Sequence, residues 1–303
     1  MSNSSAGGDS LSKNQRRAAA RERARRLREQ HRKKDRRNRV LLQGGLILAT
    51  LGIIAIVTLV IVNSIRPPGP GPLNMASDGI RIGTGYAAEQ TEAVPAGEDP
   101  VEPVVDPGSE VITIQVWLDY QCPLCGDFEK TNAAQIETLI EQGAATLELH
   151  PVAVNDSASL GEKFSTRSAN AAACVAQYSP NTFYAFNALM FDNEPEEQSA
   201  GLTDAELVGI AEKAGVAEQS KVEKCINDQK FSEWVTAATE RAADEPDLLD
   251  ENGEFDPPAV FVNGERYSGD PDDGTAFAQF IAEADGARFS DQNASTPSPA
   301  AAP

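Results

Sequence analysis

Four cysteines occur in 303 residues, and two of them stand in the frame Cys122-Pro123-Leu124-Cys125. The frame follows an apolar, β-rich run, Val111–Leu118 (VITIQVWL), and opens a helical pattern. Backbone N–H groups and the dipole at a helix N-terminus favour the thiolate of the first cysteine, and the thiolate is the nucleophile of sulfur chemistry. Cys125, one turn further in, can close or release a disulfide with Cys122. The chemistry that fits is thiol-disulfide exchange, with an inert structural disulfide as the plainer alternative.

Zinc would require more ligands of the right spacing. Cys174 and Cys225 are 51 residues apart, and the only histidines are His31 and His150. The pattern therefore calls for neither a metal nor an organic cofactor: the redox-active disulfide is itself the centre. Cys174 and Cys225 fall in predicted helices, and a disulfide between them would staple two helices, stabilising the domain by roughly 2–4 kcal/mol. Other chemistry-bearing patterns are weaker. Gly83-Thr84-Gly85 is too short for a phosphate loop. His150 reads as a structural histidine, His31 as a solvated one, and Asp270-Pro271-Asp272-Asp273-Gly274 as a turn and helix start without calcium-loop spacing.

The elements that must position the cysteines alternate. Helical spacing runs over Gly126–Gln142, and Ala145–Val154 reads as a second strand. Helical patterns follow at 165–177, 182–191, 203–214 and 218–242, with Thr203 and Glu206 forming a capping-box signature. After a Pro/Asp-rich break come a strand at Ala259–Asn263, a turn at Asn263-Gly264 into Arg266-Tyr267, and a last helix at about 272–284. The order is β, α, β, a helical block, β, β, α.

Charge divides the chain sharply. Residues 1–39 carry 14 Lys/Arg and four acids, whereas the remainder carries 12 basic and 42 acidic residues. Between them, Val40–Val62 runs 23 residues without an ionisable side chain, enough to span a bilayer as a helix. The positive flank places the N-terminus in the cytoplasm and everything beyond about Ile65 outside it, where disulfides are permitted. The run is longer than a signal peptide's apolar core and leads into no A-x-A-like site, so it reads as an uncleaved anchor. The overall charge of -20 argues against nucleic-acid binding. The expected organisation is a basic cytoplasmic tail (1–39), a transmembrane anchor (40–62), a Pro/Gly/acid-rich linker (63–109) in which Ile80-Arg81-Ile82 could add a short strand, a folded domain (110–289) and a disordered tail (290–303).

The frame VWLDYQCPLCGDFE, followed some 135 residues later by PPAVFVNGERYSG, resembles the DsbA-like branch of the thioredoxin superfamily. It is similar in particular to the membrane-anchored thiol-disulfide oxidoreductases of actinobacteria and other Gram-positive bacteria. The resemblance covers about 110–285, with residues 74–80 as a possible extension. It implies an α/β fold: a thioredoxin fold with an inserted helical domain, about 157–245, preceded by a single transmembrane helix. It implies that Cys122 is the exposed, attacked sulfur and Cys125 the partly buried one, supported by Pro123, Leu124 and Asp119. It further implies that Pro258 is the family's cis-proline, and that the loop Pro257-Pro258-Ala259 binds extended peptide by main-chain pairing.

Three departures stand out. The family's buried acid six residues before the first cysteine is Val116 here, and Asp119, three before, is expected to face elsewhere. Pro257 has no N–H to offer a substrate. Leu124 replaces a polar residue common in strong oxidases. The function expected is an extracytoplasmic oxidoreductase donating disulfides to secreted or surface proteins with Cys thiols, reoxidised by a membrane partner that the family suggests is quinone-linked. The alternatives are a reductase or isomerase of the same fold, or a non-catalytic thioredoxin-fold binding module.

Overall fold

The computed structural model describes residues 69–102, 109–250 and 252–295, with scattered helical positions between 21 and 52. Most of the predicted anchor, 40–62, and the tail beyond 295 lie outside the described residues. Among those described, no helix is long and apolar enough to cross a membrane.

The apolar run predicted as a strand is the middle of the sheet. Strand β1 (Ile80–Ile82) is followed by β2 (Ile112–Leu118), helix α1 (Pro123–Glu141) and β3 (Ala145–Pro151). A helical block then comprises α2 (Phe164–Tyr178), α3 (Phe183–Asp192), α4 (Asp204–Lys213), α5 (Gln219–Asn227) and α6 (Ser232–Asp244). Strands β4 (Ala259–Val262) and β5 (Glu265–Arg266) and helix α7 (Gly274–Ser295) complete the fold. The five strands lie in the order β1-β3-β2-β4-β5, with β2 and β3 parallel and the other pairings antiparallel. Six of the seven β2 residues are buried, which is why the strand reads as a continuous apolar run rather than an alternating one. Phe128 of α1 meets Phe277 of α7 edge to face at 5.1 Å between centroids, joining the two helices. Asn263 and Gly264, at φ 52° and 84°, make the tight β4–β5 turn that Asn-Gly favours.

Three expectations change. Residues 63–109 are expected to form a spacer, yet 69–102 pack onto the domain, with Met75, Ile80 and Ile82 fully buried. Arg241 grips Asp78 through two hydrogen bonds of 2.7 and 2.8 Å, and Asn74 Nδ2 donates to Ala176 O at 2.8 Å. A few apolar residues at the right positions outweigh a Pro/Gly/acid average taken over the whole stretch. The pattern at 218–242 is two helices, because the chain turns at Gln229, whose φ is 50°. Asn170 Oδ1 accepts the Phe231 N–H there. Lastly, α7 continues to Ser295, so 290–295 are helical rather than disordered. The capping box forms as its sequence signature indicates, Thr203 Oγ1 accepting from Glu206 N.

Candidate active site

Strand β2 ends at Leu118, and the turn Asp119-Tyr120-Gln121 delivers Cys122 as the N-cap of α1 with Pro123 in its first turn. Proline is at home in that turn because its missing N–H would have no partner within the helix. The helix thus starts at the cysteine motif, earlier than its apolar spacing suggests. Cys122 Sγ accepts the Cys125 N–H at 3.3 Å. Both cysteines of the motif are thiols.

The second half of the site comes from the far end of the chain. In the antiparallel register of β2 and β4, Trp117 pairs with Ala259, so the residues just before β4 lie beside the residues just after β2. The Pro257–Pro258 bond is cis, as the resemblance implies, and Cys122 Sγ donates to Pro257 O at 3.2 Å. The structure therefore brings Cys122, Cys125, Pro257 and Pro258 together, with Ala259 next to them on the strand. Leu124 is 48% exposed and stands at the surface beside the pair. The expected contrast between an exposed and a buried sulfur is small, since Cys122 keeps 4% and Cys125 2% of its surface exposed. What distinguishes them is their surroundings. Burial pushes the Cys125 thiol well above its usual range and Cys122 pushes it further, while a backbone hydrogen bond at Asp119 opposes the rise more than the Asp119 charge adds to it.

The Asp119 carboxylate faces away from the thiols, as expected, and touches Cys125 only through its charge. It is fully buried. Its Oδ1 accepts from Gln121 N at 2.9 Å, and its Oδ2 from Val154 N at 2.8 Å and Asn155 N at 2.9 Å. Burial raises its carboxyl, and those amides oppose the rise. Asp119 therefore ties the cysteine turn to the chain leaving β3, where Val154 and Leu160 are exposed.

Two further acids were not singled out by sequence reasoning. Glu129 lies one helical turn after Cys125, and burial raises its carboxyl to about 7. Asn187 Nδ2 donates to it at 3.2 Å, while Asn187 Oδ1 accepts from Tyr120 OH at 3.1 Å. Its i, i+4 relation to Cys125 was the available signal. Glu194 packs against Gly126, where a Cβ would collide with its carboxylate, and pairs with Lys130 at 3.2 Å. Burial raises its carboxyl as well. No local pattern announces Glu194, which reaches the site from the loop after α3.

The family model described as thioredoxin matches residues 109–282. The chain belongs to the thioredoxin family. Among solved structures, reduced DsbA from Mycobacterium tuberculosis superposes with a TM-score of 0.51 at 28% identity, covering 71% of this chain and 98% of that one. Oxidised DsbA from the same organism gives 0.50 at 27%, covering 72% and 100%. Among curated proteins, 107 residues are 33% identical to the serine/threonine-protein kinase PknE of Mycobacterium tuberculosis. That match spans 34% of this chain but only 19% of the kinase. The fold is that of the DsbA-like thiol-disulfide oxidoreductases.

The remaining sequence candidates lie apart from the thiols. Cys174 and Cys225 form a disulfide, with S–S 2.02 Å and Cα–Cα 5.8 Å, joining α2 to α5. His150 is buried, stacked on Trp117 at 4.1 Å and covered by Gly79, as a structural histidine. Asp273 Oδ1 accepts from Thr275 N and Ala276 N, starting α7. No cluster of metal-ligating side chains occurs among the described residues. A cavity of about 250 Å³, lined by Trp117, Phe261, Leu248 and Arg241 among others, includes neither thiol.

Proposed function

We propose that this chain is an extracytoplasmic thiol-disulfide oxidoreductase that donates the Cys122–Cys125 disulfide to secreted or surface proteins carrying Cys thiols. The observation that carries the reading is the meeting of Cys122 Sγ with Pro257 O at the N-terminus of α1. It places a reactive pair beside main-chain groups on which an extended peptide can align. A substrate thiolate attacks Cys122 Sγ and the bond to Cys125 breaks. A second substrate thiol then resolves the mixed disulfide, leaving the substrate oxidised and the enzyme as a dithiol. A membrane redox partner, quinone-linked by analogy with the family, restores the disulfide. The apolar run 40–62, the basic flank before it and the Cys174–Cys225 bond support a site outside the cytoplasm.

One observation favours the reverse direction, reduction or isomerisation: exposed Leu124 offers no polar atom to Cys122. The reduction potential of Cys122–Cys125 in the full-length chain decides between the two. A value near -120 mV, like that of a strong oxidase, is expected for disulfide donation, and one near -270 mV would make the protein a reductant. A pair that stays oxidised far below that would make it a binding module.

A further inference from the structure

The cavity that includes neither thiol holds one open acceptor. Gln115 lies directly opposite Phe261 in the β2–β4 register, is 5% exposed and lines the cavity. Its Nε2 donates to Glu148 Oε2 at 3.5 Å. A carboxylate only accepts, which fixes the amide, so Oε1 is turned away from Glu148. Among the described residues nothing donates to that oxygen. A buried acceptor without a donor costs free energy that an incoming N–H would recover.

Charge points the same way. Arg241 lines the cavity, but its Nε and Nη2 are taken by Asp78 at 2.7 and 2.8 Å. Arg266 stands 5.8 Å from the centre of the Phe261 ring and donates to the carbonyls of Asp247 and Leu249. Three further carboxylates, Glu102, Glu245 and Asp247, stand at the exposed rim and have no side-chain partner among the described residues. With Asp78 they outnumber the two guanidinium groups, so the cavity is negative. Its floor is apolar, formed by Trp117, Phe261 and Leu248.

We propose that this cavity receives a lysine side chain from a partner polypeptide. The ammonium donates to Gln115 Oε1 in the field of the rim carboxylates, and the alkyl stem lies along the aromatic floor. A volume of about 250 Å³ is below the ~300–1,000 Å³ of small-molecule sites and suits a single side chain. Val101, 58% exposed and lining the cavity, gives the partner an apolar contact that a free amine would not use. The planar fork of arginine calls for a bidentate acceptor, and the carboxylate placed for that, Asp78, is spent on Arg241. The inference does not rest on the exchange reaction.

The test follows the indole N–H resonances of the two tryptophans in full-length protein, Trp117 in the cavity and Trp234 outside it. The probe is a capped pentapeptide of glycine with one lysine at its centre. The Trp117 resonance should move saturably while that of Trp234 stays. A norleucine peptide, which keeps the stem and lacks the ammonium, should bind about tenfold more weakly. Gln115→Met should raise the dissociation constant about fivefold, the worth of one hydrogen bond. The rim variant Glu102→Gln/Glu245→Gln/Asp247→Asn, changed only at exposed positions, should raise it about tenfold and weaken its salt dependence. An unmoved Trp117 resonance, a norleucine or arginine peptide bound as tightly as the lysine peptide, or a rim variant with the parent's affinity would overturn the inference. Butylamine bound as tightly as the lysine peptide would overturn the polypeptide as occupant.

Discussion

Cys174 and Cys225 lie on two helices, 51 residues apart in sequence, and are bonded to each other; Cys122 and Cys125 lie at the start of one helix and are thiols. All four are buried, none more than 4% exposed, so burial does not separate a staple from a reactive pair. Their neighbours do. Cys174 sits among the small, fully buried alanines of α2. Around Cys122 and Cys125 lie a carbonyl acceptor, a helix-start amide and the charge of Asp119. The two pairs are thus equally buried and differ in what polar groups their sulfurs meet.

The largest effect should come from Cys122→Ser. Oxidation of a dithiol peptide should fall to the uncatalysed rate, while replacing both Cys174 and Cys225 by serine should leave the rate within about twofold. Comparable losses from both substitutions would break the contrast. In urea unfolding the order should reverse: the Cys174/Cys225 double variant should lose roughly 2–4 kcal/mol, because a closed 51-residue loop restricts the unfolded chain.

A smaller effect belongs to the acids beside the thiols. Glu129 titrates near 7 in the folded protein against a usual 4.5. Between those values the unfolded chain has released a proton that the folded chain keeps, so stability falls as pH rises through that window. Glu129→Gln can still accept from Asn187 and removes the penalty. It should be more stable than the parent at pH 8, by an amount on the order of 2 kcal/mol, and indistinguishable from it at pH 4. An unchanged pH slope would mean that Glu129 is not the group responsible. The smallest effect lies in the helical block, where Thr203→Ala should cost about 1 kcal/mol of stability by removing the N-cap of α4. No change in exchange rate should accompany it.

The strand and helix order, the cysteine motif at a helix start and the Cys174–Cys225 bond were legible from the residues themselves, whereas the cis bond before Pro258 was legible only through the family resemblance. Illegible parts depended on contacts across the chain. That Asp119 faces away from the thiols was legible from its spacing, but not what holds it: the amides of Val154 and Asn155, more than thirty residues away. The break between α5 and α6 is fixed by Asn170, about sixty residues earlier. Residues 69–102 looked like a spacer on average composition, whereas Met75, Ile80 and Ile82 are individually placed to pack.

That last segment also guards the sheet. β1 pairs along the open side of β3, Ile80 opposite Leu149 and Ile82 opposite Leu147, at a position that precedes the family match beginning at 109. A fragment cut at that boundary would bare a row of amide and carbonyl groups flanked by apolar side chains, a template onto which a second molecule can add a strand. Such a fragment should self-associate even with its thiols intact, and the boundary for soluble work belongs ahead of residue 69.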